Sequence, residues 1–167
     1  CVQRVISPEI NEATIRLLNR HNVEVVVMPD INCCGSLNHH LGKQKLAHES
    51  FKNNIESWHD EYLQNGLDAI ISNTSGCGTT LKDYGHIFKN DKDLKKKAKK
   101  ISELTKDITE YLDENLKLNI NLNSEKKYRI AYHSACSMQH GQKVHDQPKD
   151  VISKTGNEVL DLSLIHL

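Results

Sequence analysis

Two neighbouring cysteines, Cys33 and Cys34, followed at once by Gly35, constrain this chain more than any other feature. Adjacent cysteines bridge each other poorly, because a disulfide between neighbours strains the backbone away from normal bridge geometry. Two thiolates aimed at one metal centre carry no such penalty. Cys1 precedes the pair, and Cys77 follows it within Asn73-Thr74-Ser75-Gly76-Cys77-Gly78. Four sulfurs from three stretches are enough to enclose an iron–sulfur cluster or a tetrahedral zinc. The fold must therefore bring those stretches together.

The remaining composition narrows the chemistry. Five cysteines is an odd number, and no charged-then-apolar signal segment opens the chain, so a disulfide-stapled secreted domain is disfavoured against metal or redox chemistry. Twenty-two Lys and Arg balance twenty-two Asp and Glu. That leaves no basic excess to support nucleic-acid binding as the main role. No apolar run reaches the length of a membrane span, and a soluble intracellular protein is expected.

Ser7-Pro8-Glu9 predicts a helix start, with Ser7 as cap, Pro8 at the first helical position and Glu9 favouring the dipole. Ile10, Ala13, Leu17 and Leu18 supply its apolar face, and Asn22 ends it. Val23–Met28 is a short β-branched run of the kind found in buried parallel strands. The Cys33-Cys34-Gly35 loop follows. A long helix is expected over 42–64, then a strand over Leu67–Ser72 whose following loop carries Cys77. Helices are expected over Thr79–Phe88 and Lys92–Asn115, the second on a stripe of Leu94, Ala98, Ile101, Leu104, Ile108 and Leu112. Its Lys95-Lys96-Lys97 and Lys99-Lys100 read as a solvated face. Residues 119–127 are polar and without pattern, a linker. A strand at Arg129–His133, a loop with Cys136, a helix at Val144–Lys154 and a strand at 158–162 complete the chain.

Alternating strands and helices predict an α/β protein with a parallel sheet flanked by helices. Ligands of such sheets sit beyond the carboxyl ends of the strands, where Cys33, Cys34 and Cys77 all fall. Sliding the chain so that Cys1 lies on Cys136 also places Asn22 on Asn157 and one expected strand on another. The chain therefore reads as two related halves, the second truncated. The same alignment puts the counterpart of Cys33 immediately after Leu167. The expectation is that the parent gene continues there with Cys-Cys-Gly and encodes a strand before Cys1.

The order Cys1, then Cys33-Cys34-Gly35, then Cys77 resembles the cysteine-rich CCG domain of heterodisulfide-reductase-type redox subunits. More narrowly, three stretches resemble the iron–sulfur subunits of bacterial glycolate oxidase (glycolate dehydrogenase). They run from Cys33 to Gly42, from Ser75 to Gly85 and from Tyr132 to Gln142, the last with Cys136 at its centre. The resemblance implies a first CCG domain over 1–118, a linker over 119–127 and the start of a second CCG domain over 128–167. It implies an oxidoreductase subunit that passes electrons from a flavin-containing subunit oxidising glycolate to glyoxylate. FAD would sit only on that partner, and this chain alone would not turn over substrate. Cys1, Cys33, Cys34 and Cys77 would bind a [4Fe-4S] iron–sulfur cluster, and Cys136 would belong to a second, incomplete site. The location implied is cytoplasmic, or peripheral at the inner membrane through the complex.

Two departures qualify this. The fuller CCG pattern ends in Cys-x-x-Cys, and Thr74 occupies the first of those positions; a ferredoxin-like segment with Cys-x-x-Cys spacings is also absent from the sequence. Other readings of the same residues stay open. Zinc needs the same thiolates, although the short Cys-x-x-Cys knuckles usual in structural zinc sites are missing. The cysteines can also be unligated core thiols. A cysteine-dependent enzyme would pair Cys136 with His133 or His140. His39 and His40, close after the cysteine pair, are either hydrogen-bond donors to cluster sulfurs or ordinary helix-end histidines.

Overall fold

The computed structural model describes residues 2–31, 33–116, 118 and 127–161. Helix α1 (Val2–Ile6) leads into α2 (Pro8–Arg20), where Pro8 stands in the first turn as expected and Ser7 takes the cap position without a side-chain hydrogen bond. Helices α3 (Ser36–His40) and α4 (Gln44–Gln64) follow, then strand β1 (Ile70–Ser72) and α5 (Ser75–Ile87). Next come α6 (Lys95–Leu104), β2 (Thr105–Asp107) and α7 (Ile108–Asn115). Strand β3 (Arg129–Tyr132), a π-helix (Ser137–Gln142), α8 (Gln147–Lys154) and β4 (Glu158–Asp161) end the described chain.

The class is α/β with parallel strands. The strands pair two by two: β1 with β2, Ile70 opposite Thr105, and β3 with β4, Arg129 opposite Glu158. The core lies between α4, α5 and α6. Phe51 and Ile55 from α4, Leu81 and Tyr84 from α5, and Ala98 and Ile101 from α6 are buried together with Ile70 of β1. Spacings of three and four residues put those side chains on facing stripes, which is why the three helices form and pack. No helix among the described residues is long and apolar enough to cross a membrane.

Three expectations need correction. Val23–Met28 forms no strand, and Val26 and Val27 are exposed. β-Branched composition measures fitness for a pleated, half-buried surface and does not supply a partner. The helix expected over Lys92–Asn115 is interrupted at Thr105–Asp107, which pairs with β1 instead. Asp107 then caps α7, accepting from the Thr109 N–H at 2.9 Å while Glu110 accepts from the Asp107 N–H at 3.0 Å. Finally, α5 starts at Ser75, so Cys77 stands in its first turn and not in a loop. Cys1, most of the expected linker (residues 119–126) and Leu162 lie outside the described residues.

Candidate metal centre

The centre is built where the Cys33-Cys34 loop meets the first turn of α5. Gly35 turns the chain into α3 with φ 78°, a left-handed value that glycine adopts without strain. A Cβ there would also stand 2.5 Å from Phe51 Cε1. Immediately after it, buried Ser36 bridges to α5. Its hydroxyl reaches the Gly76 carbonyl at 3.4 Å and accepts from Thr80 Oγ1 at 2.9 Å. That stitch aligns the cysteine loop with Cys77.

The result is a sulfur–sulfur contact. The Cys34 thiol donates to Cys77 Sγ at 3.0 Å. Donating that proton, together with burial, pushes the Cys34 thiol up; accepting it draws Cys77 down. The pair is thus polarised, Cys77 towards thiolate, and the first turn of a helix favours negative charge in the same sense. Cys33 lies beside them with its Sγ 3.5 Å from the Gly35 N–H.

These residues suit a thiophilic metal. The converging donors are sulfur only, and two thiolates on one tetrahedral zinc stand roughly 3.8 Å apart, so an ion would part Cys34 and Cys77 by under about 1 Å. Among the described residues, however, no three His, Cys, Asp or Glu side chains are grouped closely enough to hold an ion as they stand. Cys1 lies outside that set. Helix α1 is tied to the residues just before α5: Gln3 donates to Asn73 at 3.2 Å and accepts from the Thr74 hydroxyl. Cys136 is exposed at the start of the π-helix. His39 stacks towards Phe51, its buried Nδ1 without a partner, and is not bonded to a cysteine sulfur among the described contacts.

Residues 1–82 match the model of the cysteine-rich CCG domain. That stretch is similar to the CCG family. The chain is 34% identical, over its full length, to the glycolate oxidase iron-sulfur subunit of Escherichia coli, of which it covers 40%. It is 28% identical to the probable glycolate oxidase iron-sulfur subunit of Bacillus subtilis, over 91% of this chain and 33% of that protein. It is 27% identical to lactate utilization protein A of Anoxybacillus flavithermus, over 99% of this chain and 67% of that one. The chain thus spans well under half of the first two relatives. No solved structure matches it.

Within the CCG stretch, Thr74 is engaged elsewhere, its hydroxyl bound to Gln3. Sequence reasoning missed Asn54, which no periodic rule separates from an ordinary helix position. Asn54 Nδ2 reaches the Cys33 carbonyl at 2.9 Å from the middle of α4. It also missed that the Cys136 segment docks on α5. Thr79 Oγ1 donates to the Ser137 carbonyl at 2.9 Å, and Gln142 Nε2 donates to the Ser75 carbonyl at 2.9 Å. Paired glycines make room: a Cβ on Gly78 would meet Gln142, and one on Gly141 would stand 2.6 Å from Thr79 Cγ2. π-Helices are rare and concentrate at functional sites. Gly78 and Gly141, both in motifs singled out above, were the available signal.

Proposed function

We propose that this chain is an iron–sulfur electron-transfer component of a 2-hydroxy-acid oxidase, working beside a flavin-containing subunit that oxidises glycolate to glyoxylate. Cys33, Cys34 and Cys77, with Cys1, would hold one cluster of [4Fe-4S] type. The observation that carries this reading is the 3.0 Å approach of Cys34 and Cys77 from two distant motifs of one CCG stretch. Such a cluster, when bound, supplies one-electron exchange. The chain's part is to present thiolates, bury them and orient them. Cys136, held against α5 by the π-helix, stands as the ligand of a second site. The names of the relatives support the oxidoreductase role and supply glycolate by analogy; the flavin partner is what the resemblance to glycolate oxidase subunits implies.

Iron, acid-labile sulfide and zinc analysis of anaerobically purified full-length protein tests this. Iron with matching sulfide is expected, and Cys34→Ser or Cys77→Ser should abolish it. Stoichiometric zinc without sulfide would replace electron transfer by a structural role. Glycolate-dependent dye reduction by this chain alone would show that the chemistry had been given to the wrong subunit.

A further inference from the structure

We propose that Tyr84 and Asn54 are positioning residues that set the direction of the Cys34 side chain; the inference deepens the metal-centre reading and rests on it. Tyr84 lies about two helical turns beyond Cys77, so α5 presents both on one face. The helix therefore grips Cys34 twice. Cys77 meets its sulfur at 3.0 Å, and the Tyr84 hydroxyl donates to its carbonyl at 2.8 Å. Asn54, across the core on α4, donates from Nδ2 to the Cys33 carbonyl at 2.9 Å and to Tyr84 Oη at 3.2 Å.

What these bonds fix follows from peptide geometry. The Cys33 carbonyl lies in the peptide plane before the Cys34 Cα, and the Cys34 carbonyl in the plane after it. Each plane is rigid, so holding both carbonyls fixes φ and ψ of Cys34 and hence the direction of its Cβ. The two anchors are deep in the core, Tyr84 at 0% and Asn54 at 1% exposure. Burying amide and hydroxyl groups costs free energy unless they are bonded, and apolar residues would fill the same space without that cost. The polar pair thus tunes the ligand loop rather than filling the core.

The test uses full-length protein with Tyr84→Phe and Asn54→Leu, each checked for native circular dichroism. In metal-free protein, a short bifunctional thiol reagent should bridge Cys34 and Cys77, as located by peptide mass mapping. The bridging rate should fall about tenfold in each variant, the factor that a lost buried hydrogen bond allows, while alkylation of Cys136 stays unchanged. In metal-loaded protein, iron retention against a chelator should fall about 10–100-fold, and in Tyr84→Phe the midpoint potential should become more negative with the loss of the hydroxyl dipole. Unchanged bridging and potential in folded variants overturn the proposal, even if thermal stability drops. If Asn54→Leu does not fold, Tyr84→Phe, which removes one oxygen, decides alone. A wild-type protein without bound iron or zinc sinks the metal-centre reading, and bridging in the metal-free protein still judges the positioning role.

Discussion

Gly35 and Gly42 both hold left-handed backbone, φ 78° and 75°, yet they should respond very differently to an added methyl. At Gly42 nothing lies within 4 Å of the would-be Cβ, so Gly42→Ala should cost only the conformational term, about 1–2 kcal/mol. At Gly35 the methyl would press on Phe51 Cε1 at 2.5 Å and on the Ala47 carbonyl at 3.2 Å. Phe51 cannot swing aside: it is fully buried against Tyr84 and Phe88, with ring centroids at 4.8 and 6.3 Å. Overpacking adds about 1–3 kcal/mol. Gly35→Ala should therefore lose about 2–5 kcal/mol in denaturant unfolding, clearly more than Gly42→Ala. Equal losses would mean that the ring gives way. The glycine beside the cysteine pair was readable from the sequence. That the neighbour is Phe51 was not, because the contact joins residues whose proximity only the fold creates.

Between Leu94 and Leu112 an unbroken apolar stripe suggested one helix, and the break at Thr105–Asp107 shows what periodicity leaves out. Leu104 and Ile108 keep helical spacing, so hydrophobic pattern cannot reveal that three residues between them pair as a strand. The signal was chemical: Asp107-x-x-Glu110 is a capping-box pattern, and it marks the start of α7. Asp107 is 1% exposed, and its Oδ1 accepts from the Thr109 N–H at 2.9 Å and the Thr109 hydroxyl at 2.6 Å. Glu110 adds an ion pair with Lys82 of α5 at 2.6 Å. Asp107→Ala should cost about 2 kcal/mol, whereas Asp107→Asn keeps an acceptor and should lose little. Chemical denaturation distinguishes them. A neutral Asp107→Ala would show that β2 pairing, not the cap, sets the boundary.

Across the whole molecule, strand–helix alternation was legible and strand partnership was not. Side-chain pattern names the residues fit for a sheet, while pairing depends on what lies alongside. The two small sheets are linked through helices: the π-helix rests on α5, and α8 meets α7 with Lys154 Nζ 2.5 Å from Asp113 Oδ1. The five cysteines stood out at once, and their order led to the CCG family. The buried amide and phenol bonded to the Cys33 and Cys34 carbonyls did not, since Asn54 and Tyr84 sit on helix stripes that apolar residues could equally fill. The unpaired Val23–Met28 run offers the sharpest test of the sheet arrangement. Val27 is 71% exposed, while Ile70 of β1 is 6% exposed. An exposed, unpaired residue tolerates substitution within about 0.5 kcal/mol. Truncating a buried isoleucine costs about 2–5 kcal/mol. Val27→Lys should therefore leave the unfolding midpoint nearly unmoved and Ile70→Ala should lower it strongly. A loss above about 1.5 kcal/mol for Val27→Lys would mean that this run is packed in solution, because a lysine at an unpacked position gives up almost nothing.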